Sequence, residues 1–539
     1  MWVLGINWKL HDSSAALIDG DGRIVALAEE ERFIRLKHAP GRFPVNAARY
    51  CLATAGLTWR DLDTVAMGWD MRRFRTWEDA ERADMYAELF GPEAAGEAGP
   101  EFVFVEHHLA HALSSFYASG FERAGVLVVD GSGELESASI YAGDRSSGLT
   151  LKRQWARGYS IGLMYEAASD LLGFGRFGAG KTMGLAPYGV GGDSTLIPMG
   201  DLIGDGTWQS KPPLDVPADV DSDVLVKEWK NYFSDRFGAV TATTEHLDKD
   251  PVAVRIAASA QRTVEEAYRA FHAETVYQAG TQEICLAGGV ALNCVANGKL
   301  PEPVYVPPFP HDAGVSVGAA WSICPPKHKG VLESPYLGTD LSVAGQQLDD
   351  LRRAGFVVTE FSPDAVIELL LEGAIGSVAQ GRAEVGPRAL GHRSIVAIPH
   401  PADVRNRINT LKNREQWRPL APVTLADYAP ALWPGQGLRE RYMVGSAVVS
   451  SHAREVMPAA THPVDGTTRP QVIVPGQAPV VESLLHGLRT AGVPPVLVNT
   501  SFNGRNEPVV DSSADAVRTF LGIGLDFMVL GDHVVRPGA

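Results

Sequence analysis

The sequence EHHLAHA at residues 106–112, followed by GVLVVDGSGE at residues 125–134, is where fold and site can first be inferred. His107 and His111 are four residues apart, so a helix would bring both imidazoles to one face. The apolar run is typical of a buried strand, and Asp130 stands where that strand meets a glycine-rich turn. Such a carboxylate can meet a metal or a phosphate, although the histidines alone could equally be half-buried helix residues.

A strand–loop–hairpin pattern occurs twice in the first part of the chain. Residues 1–31 contain an apolar run, a polar loop, a second apolar run, a Gly-Asp-Gly turn at 20–22 and a third apolar run. Residues 126–141 repeat the strand, the polar loop and the returning strand. Actin-like and sugar-kinase-like ATPase folds begin in this way, so we predict an α/β protein with a duplicated actin-like domain.

The length of 539 residues predicts two or three domains. A polar segment rich in proline and glycine follows Cys324, and the pattern of alternating helices and strands restarts after it. We therefore predict an actin-like domain at 1–325, a linker at 326–342 and a second α/β domain at 343–539.

Composition excludes several classes of protein. The formal net charge of −16 argues against non-specific binding of nucleic acid, which releases counterions through an excess of cations. The four cysteines form no CxxC pair, and no apolar run approaches membrane-spanning length. Met1 opens directly into a strand pattern, so we expect a cytoplasmic protein with reduced thiols and without a nucleic-acid or membrane partner.

Four side chains form a candidate set of metal ligands. His107, His111 and Asp130 are joined by Asp312, a second carboxylate that follows a short strand at 304–306. Mixed imidazole and carboxylate ligands suit Fe(II), Mn(II), Co(II) or Zn(II). Asp312 could instead cap the helix that follows it.

Two further segments of the first domain are candidates for a site. Gly288 and Gly289 end a strand, so their backbone could approach a phosphate or an adenosine closely. His11, in the loop of the first hairpin, is the best candidate for an acid–base group in this domain. The GAGKT sequence at 178–182 is not a phosphate-binding Walker motif because a helix, not a strand, precedes it.

Arginines in the second domain occur in loops rich in glycine and proline. Planar guanidinium groups are suited to a phosphate or a triphosphate. Surface ion pairs with Glu384 and Glu415 are the alternative. The candidate phosphate ligands are Arg388, Arg393, Arg414, Arg418 and Arg469, with Asn499 and Ser501 after a predicted strand.

Taken together, eight motifs resemble the NodU/CmcH O-carbamoyltransferase family, which includes antibiotic-tailoring enzymes, over nearly the whole chain. The resemblance implies an N-terminal domain akin to the tRNA threonylcarbamoyl transferase (ASKHA class) and a C-terminal YrdC-like domain. The motifs are HHLAHA (107–112), VDGSG (129–133), MGLAPYG (183–189), GGVALN (288–293), GPRALG (386–391), RPLAP (418–422), DGTTRPQ (465–471) and NTSFN (499–503).

The resemblance implies a reaction in two steps. The C-terminal domain would convert carbamoyl phosphate and ATP to carbamoyladenylate, which would pass internally to the actin-like domain. There a metal, iron(II) in the family, would assist transfer to a hydroxyl of a small-molecule acceptor in antibiotic biosynthesis or other secondary metabolism. A tRNA threonylcarbamoyl transferase-type enzyme and a non-catalytic actin-like ATP-binding protein are the alternatives. The oligomeric state stays open, a homodimer included.

The resemblance also implies roles for individual residues. The metal ligands would be His107, His111, Asp130 and Asp312, and His11 and Asp130 would be catalytic. Carbamoyladenylate would be held by Ser160, Gly288, Gly289 and Asn293; ATP or carbamoyl phosphate by Arg388, Arg418, Arg469, Asn499 and Ser501; and the acceptor by His11 and Lys37.

Overall fold

The structure is a computed structural model that describes residues 1–8, 10–95, 99–189, 194–199, 213–435 and 437–538. The chain forms two compact units, the first comprising residues 1–31 and 38–333, and the second 32–37 and 334–539. The boundary between 333 and 334 falls inside the segment predicted as a linker. No sequence pattern indicates that residues 32–37 group with the second unit.

Two five-stranded sheets form the framework of the first unit in the described part of the chain. The first sheet has the order β3-β2-β1-β4-β5, and the second has the order β8-β7-β6-β9-β10. The strands are β1 (Val3–Asn7), β2 (Ser14–Ile18), β3 (Ile24–Glu29), β4 (Thr64–Met67), β5 (Glu101–Phe104), β6 (Arg123–Val129), β7 (Glu136–Asp144), β8 (Gly148–Ala156), β9 (Ile284–Ala287) and β10 (Val304–Tyr305).

The two sheets repeat one topology. In the first, β1 pairs antiparallel with β2, β2 antiparallel with β3, β1 parallel with β4 and β4 parallel with β5. In the second, β6 to β10 repeat these four relations in the same sequence order. The predicted α/β class and the two predicted hairpins are therefore confirmed.

Helices connect and cover these sheets. The longest, α8, begins at Pro251 behind Asp250, whose carboxylate accepts the N–H groups of Val252 and Ala253, and it ends at Gly280 with φ 65°. The helices are α1 (Glu30–Ile34, whose residues 32–34 belong to the second unit), α2 (Val45–Thr54), α3 (Asp79–Phe90), α4 (His107–Ser119), α5 (Ile161–Leu171), α6 (Ala179–Leu185), α7 (Ser222–Phe237), α8 (Pro251–Ala279), α9 (Cys294–Gly298) and α10 (Val315–Ile323).

A close contact between α4 and α10 aligns the two halves of the duplicated unit. A Cβ atom added at Gly318 of α10 would lie 1.7 Å from the carbonyl oxygen of Ala110 on α4. Only glycine permits this approach, because a methyl group needs roughly twice that separation. The contact matters for the site, since α4 carries His107 and His111 and α10 follows Asp312.

The second unit is built on a mixed sheet, eight-stranded among the described residues, in the order β11-β20-β19-β12-β13-β18-β14-β17. Val498, Phe502, Phe520 and Met528 are central to its buried apolar core. The strands are β11 (Phe356–Glu360), β12 (Gly376–Ala379), β13 (Arg393–Ala397), β14 (Ala421–Leu425), β15 (Ala447–Val448), β16 (Thr467–Thr468), β17 (Gln471–Ile473), β18 (Val496–Ser501), β19 (Phe527–Leu530) and β20 (His533–Pro537), with β15 and β16 forming a separate pair.

Seven helices of the described chain complete this unit, and two of its loops concern the site. The loop between β12 and β13 contains Arg388, and the loop between α13 and β14 contains Arg414 and Arg418. The helices are α11 (Gly345–Arg353), α12 (Pro363–Leu371), α13 (Val404–Leu411), α14 (Ala429–Leu432), α15 (Ser451–Val456), α16 (Pro479–Thr490) and α17 (Ser513–Ile523).

Across the described residues of both units, no helix has the length and apolar character needed to cross a membrane.

The Gly318 contact gives a test of the packing. We expect Gly318→Ala to destabilise the first unit by about 1–3 kcal/mol, because the methyl group forces α4 and α10 apart. Gly180→Ala is the matched control, since a Cβ atom there meets no atom within 4 Å in helix α6. Denaturant unfolding would measure both variants, and equal stability of Gly318→Ala and the control would contradict the close packing.

Candidate metal centre and cationic cluster

The four predicted metal ligands meet at one point of the first unit. His107 and His111 lie in the first two turns of α4, Asp130 follows β6, and Asp312 begins a short turn before α10. All four side chains are buried. The side chain of Asp312 caps neither its turn nor α10, so the alternative role as a helix cap is wrong.

The separations among these atoms match those of ligands around one ion. His111 Nε2 lies 3.1 Å from Asp130 Oδ2 and 3.5 Å from Asp312 Oδ1. His107 Nε2 lies 3.5 Å and 3.7 Å from the same two oxygens. Ligands about 2.1 Å from a shared divalent ion are themselves roughly 3.0–3.4 Å apart. The four atoms therefore need little movement to bind a metal.

Unsatisfied atoms point to the same conclusion. Nε2 of His107, Nε2 of His111 and Oδ2 of Asp130 are buried and make no hydrogen bond of acceptable geometry. Buried polar atoms are almost always hydrogen-bonded, and a cation is the partner that two imidazole nitrogens and a carboxylate oxygen share. The residues present thus fit a divalent metal, whichever of the borderline ions it is.

His107 is held in the orientation that a ligand requires. Its Nδ1–H donates to the carbonyl oxygen of Gly68 at 3.1 Å, which leaves the lone pair on Nε2. Trp69 stacks on the ring with 3.9 Å between centroids, and the Trp69 indole N–H donates to Asn7 Oδ1 at 3.0 Å. Trp69 and Asn7 therefore fix the ring of His107 from behind.

The glycines at 288 and 289 fix Asp130. Its Oδ1 accepts the N–H of Gly131 at 2.7 Å and that of Gly289 at 3.2 Å, so Oδ2 is the oxygen left for the ion. Gly288 has φ 89°, and a Cβ atom there would lie 2.2 Å from the carbonyl oxygen of Val129. Both glycines thus serve the carboxylate, while binding of an adenylate by them stays a prediction.

Ser160 and Asn293, also predicted to bind the adenylate, make internal hydrogen bonds. The Ser160 hydroxyl donates to the carbonyl oxygen of Gly131 at 2.7 Å and caps α5. Asn293 caps α9 and exchanges two hydrogen bonds with Gln261, at 2.9 and 3.1 Å. Ser160 thus adjoins the Asp130 turn, whereas Asn293 is engaged with α8.

His11 lies beside the ligand set. Its Nδ1 is 2.9 Å from Asp12 Oδ2 and 3.9 Å from Asp312 Oδ2, and about a third of its side chain is exposed. Burial lowers the pKa of His11, but the carboxylates of Asp312 and Asp12 outweigh it and raise the pKa to about 10. The structure thus brings the predicted acid–base residue to the predicted metal ligands.

A second group of possible metal ligands, among the described residues, comprises Asp12, Glu31 and His38. Asp12 Oδ1 lies 2.8 Å from His38 Nδ1, and the backbone N–H of His38 donates to Glu31 Oε2 at 2.6 Å. These are hydrogen-bond contacts, so this group is satisfied without an ion.

The second unit contains a cationic cluster, which we define as Lys412, Arg414, Arg418, Arg469 and Arg505; Lys412 is buried, Arg505 is exposed and the other three are half-buried. Burial and the charges of Arg418 and Arg469 hold the pKa of Arg414 well below its usual range. Burial lowers the pKa of Arg418, which Glu415 raises and Arg469 and Arg505 lower further. Cations that lower one another's pKa in a partly buried place are stabilised by a bound anion.

Lys412 joins this cluster to the end of β18. Its ammonium group donates to the carbonyl oxygen of Ser501 and, at 2.8 Å, to Asn503 Oδ1, while the Ser501 hydroxyl donates to the same Asn503 oxygen at 2.7 Å. Burial, then Arg414, Arg418 and Lys37, hold the pKa of Lys412 well below its usual value. The predicted residue Ser501 is therefore placed at the cluster.

The side chain of Asn499 binds the backbone of the loop that contains Arg388. The Asn499 amide donates to the carbonyl oxygen of Ala389 at 3.0 Å and to Gln471 Oε1 at 2.6 Å. Its Oδ1 is buried and makes no hydrogen bond. Arg388 is half-buried in the loop that Asn499 thereby holds.

Not every arginine of these loops is available to a ligand. The guanidinium of Arg393 is fully buried and donates to backbone carbonyl oxygens, among them those of Gln380 at 2.6 Å and Asp511 at 3.2 Å. Arg393 is therefore structural. Arg418 does pair with Glu415 at 3.6 Å, but Glu415 is buried, so this is not the surface ion pair of the alternative hypothesis.

Lys37, which the resemblance implies binds the acceptor, groups with the second unit. It lies in the segment 32–37 that groups with the second unit, and its charge contributes to the lowered pKa of Lys412. Arg35 of the same segment donates to the carbonyl oxygens of Val509 and Pro508 at 2.7 and 2.9 Å. The acceptor role of Lys37 stays a prediction.

Several residues of the two sites are not identified by sequence reasoning. Lys412 carries no motif. Trp69 could line an acceptor groove or serve packing by sequence, but its stacking on His107 is not evident there, although it follows strand β4 and strand ends are where site residues gather. Glu134 ends the GVLVVDGSGE run; its carboxylate accepts the N–H groups of His107 and Asp70 at 3.0 and 2.8 Å, which caps α4 from outside the helix. Burial raises the pKa of Glu134 to about 7.

Two family models match the chain. One is described as carbamoyltransferase N-terminus and matches residues 2–93 and 87–321; the other is described as carbamoyltransferase C-terminus and matches residues 367–537. The nodulation protein NolNO of Sinorhizobium fredii is 32% identical over 98% of this chain and 79% of its own length. The nodulation protein NolO of Bradyrhizobium diazoefficiens is 33% identical over 80% of this chain and 79% of its own length.

Solved structures are similar only at a low level. The activator of 2-hydroxyisocaproyl-CoA dehydratase from Clostridium difficile has 13% identity and a TM-score of 0.33, over 60% of this chain and 94% of its own. Full-length HypF has 14% identity and a TM-score of 0.30, over 59% and 54% of the two chains. At these scores the likeness carries no argument.

The ligand geometry predicts binding of one divalent ion in the first unit. We expect added Fe(II) or Co(II) to raise the melting temperature. At a free metal concentration a hundred times Kd, binding stabilises the folded state by about 2.7 kcal/mol. His111→Ala should abolish this shift, whereas His246→Ala, at an exposed histidine, should keep it. A wild-type shift that survives in His111→Ala would contradict the assignment.

The affinity for the metal should increase with pH. Burial lowers the pKa of His111, but the nearby carboxylates of Asp130 and Asp312 outweigh it and raise the pKa to about 9. Because an ion must displace that proton, affinity should rise about tenfold per pH unit below pH 9 and level off above it. Isothermal titration with Co(II) in buffers of different ionisation enthalpy measures the released proton, and a pH-independent affinity would contradict the prediction.

Proposed function

We propose a division of labour within this chain, which belongs to the carbamoyltransferase family and is a carbamoyltransferase. The second unit, for which we propose a YrdC-like fold, forms carbamoyladenylate from carbamoyl phosphate and ATP. The first unit then transfers the carbamoyl group to an alcohol. The observation that carries the proposal is that one chain holds a buried set of metal ligands with an adjacent histidine in one unit and a partly buried cationic cluster in the other.

The cationic cluster suits the adenylation step. Carbamoyl phosphate loses phosphate to water, an oxygen of the resulting carbamate bonds to the α-phosphorus of ATP, and pyrophosphate leaves. Every species in this sequence is an anion, so Arg414, Arg418 and Arg469 would stabilise both the substrates and the developing negative charge. Ser501 contacts Lys412 of the cluster, and Arg388 and Asn499, which binds the loop of Arg388, would complete the proposed site. Lys37, whose charge reaches Lys412, is better placed for these phosphates than for an acceptor.

In the first unit, the chain's own residues handle the proton and the donor. The carboxylates of Asp312 and Asp130 contribute to the raised pKa of His11, so a divalent ion bound to them would lower this pKa and leave the imidazole neutral. His11 would then accept the proton of the acceptor hydroxyl, whose oxygen bonds to the carbamoyl carbon while AMP leaves. Gly288, Gly289, Asn293 and Ser160 would hold the adenylate beside Asp130. A divalent ion held by the four ligands, iron(II) by family resemblance, would supply a Lewis acid for the carbonyl and phosphate oxygens. Buried surroundings would protect the labile mixed anhydride from water.

The acceptor that we propose is a hydroxyl group of a small secondary metabolite, such as a sugar or a polyketide, as in antibiotic biosynthesis. The partial exposure of His11 supports access by a ligand from solvent. Incubation with ATP, carbamoyl phosphate and a panel of glucosamine oligomers and polyketide lactones would identify a carbamoylated product by mass. A chain that releases no pyrophosphate with carbamoyl phosphate and carbamoylates no alcohol would refute the proposal.

Two substitutions should separate the half-reactions. We expect Arg418→Ala to lower carbamoyl-phosphate-dependent exchange between ATP and pyrophosphate about 10–100-fold, because a charged hydrogen bond to phosphate is lost. Transfer from synthetic carbamoyladenylate should persist in this variant. His111→Ala should show the reverse, with exchange intact and transfer lost.

The matched control for Arg418 is Arg352→Ala, which removes an exposed arginine paired with Asp349 on α11. Both half-reactions should keep their wild-type rates in this variant. Equal loss of exchange and transfer in both Arg418→Ala and His111→Ala would contradict two separate sites.

A further inference from the structure

We infer that His38 is a positioning residue for His11, acting through the carboxylate of Asp12. The inference rests on the proposed role of His11 as the base that receives the acceptor's proton. Neither sequence motifs nor family matches point to His38, which lies between a charged segment and a glycine-rich turn.

Asp12 bridges the two imidazoles. Its Oδ2 lies 2.9 Å from His11 Nδ1 and its Oδ1 lies 2.8 Å from His38 Nδ1, so each carboxylate oxygen has one ring nitrogen as its partner. Asp12 is buried. With the proton of each ring on Nδ1, Nε2 of His11 is left as the basic nitrogen. A carboxylate that orients an imidazole in this way is what an acid–base histidine needs.

The backbone locks Asp12 and His38 to each other. The N–H of Asp12 donates to the carbonyl oxygen of His38 at 2.6 Å, and the N–H of His38 donates to Glu31 Oε2 at 2.6 Å. Asp12 and His38 have φ values of 50° and 63°, which are uncommon for residues other than glycine. Asn7 holds the carbonyl oxygen of Asp12 at 3.1 Å. This arrangement is retained despite its strained backbone because several hydrogen bonds determine it.

Phe177 covers both rings. It stacks on His38 with 4.3 Å between centroids and meets His11 edge-on at 5.1 Å, while about half of its own surface is exposed. The ring shields the two Asp12 hydrogen bonds from water, which strengthens them. His38 therefore does more than fill space: without its N–H, Asp12 Oδ1 would lose its partner and the carboxylate could rotate away from His11.

A divalent ion held by Asp12, Glu31 and His38 is the competing explanation. The distance of 2.8 Å between His38 Nδ1 and Asp12 Oδ1 favours a hydrogen bond, because two ligands of one ion are roughly 3.0–3.4 Å apart. If a metal and not a proton joined His38 to Asp12, the chain would bind a second metal ion, so the number of bound ions distinguishes the two explanations.

The test measures transfer from synthetic carbamoyladenylate to the alcohol that the wild type uses best in the panel of sugars and lactones. We expect His38→Ala to lower kcat about 10–100-fold with little change in KM, and to leave the exchange between ATP and pyrophosphate unchanged. His38→Asn should recover most of the rate, because its amide N–H replaces the Nδ1–H that Asp12 accepts. His246→Ala is the control and should match the wild type.

A double-mutant cycle separates positioning from a structural role. If His38 acts through His11, the His11→Ala/His38→Ala double variant should be no slower than His11→Ala alone. Wild-type kcat in His38→Ala, multiplied losses in the double variant, or loss of a second equivalent of bound Co(II) from His38→Ala would each overturn the inference. Undiminished transfer in His11→Ala would overturn it as well.

Transfer by the wild type and transfer by His38→Ala distinguish failure of the proposed function from failure of this inference. Absence of transfer in the wild type refutes the proposed function and the inference together. Wild-type transfer with an unaffected His38→Ala variant refutes the inference alone.

Discussion

Two buried carboxylates that face two buried imidazoles are the constraint on which the first unit depends. Asp130 and Asp312 lie close enough to share both His107 and His111, and like charges at this separation are unfavourable in a buried place. One divalent cation compensates both carboxylates and uses both nitrogens. Asp130 follows the first strand of the second sheet, and Asp312 follows its last strand. The duplicated topology and the glycine contact between α4 and α10 therefore serve to bring one set of ligands together.

Much of this arrangement follows from the sequence because it depends on local periodicity. The spacing of His107 and His111 predicts their shared helix face, and the apolar run before Asp130 predicts the strand that ends there. The paired hairpins predict the repeated sheets. These signals arise from side chains within a few residues of one another, and the long-range packing agrees with them. The helix-cap alternative for Asp312 fails because contacts with distant residues, not its own helix, determine its orientation.

Long-range contacts explain what the sequence does not reveal. Arg393 has the same glycine-rich sequence setting as Arg388, yet it begins strand β13 and donates to backbone carbonyl oxygens, among them those of Gln380 and Asp511, and only the fold discloses this. Lys37 is adjacent to the first unit's residues in sequence but groups with the second unit, where its charge lowers the pKa of Lys412. His38 stands next to it in the chain and bonds to Asp12 instead. Neighbours in sequence thus serve different units, which no periodicity can show.

The central claim is that one ion is bound by His107, His111, Asp130 and Asp312. An anomalous difference map, measured at the iron edge on crystals of the protein grown with Fe(II) under anaerobic conditions, tests it most directly. The account predicts one strong peak in the first unit, about 2.0–2.2 Å from Nε2 of each histidine and from an oxygen of each aspartate. A peak elsewhere, or these four side chains bonded to one another around no ion, would contradict it.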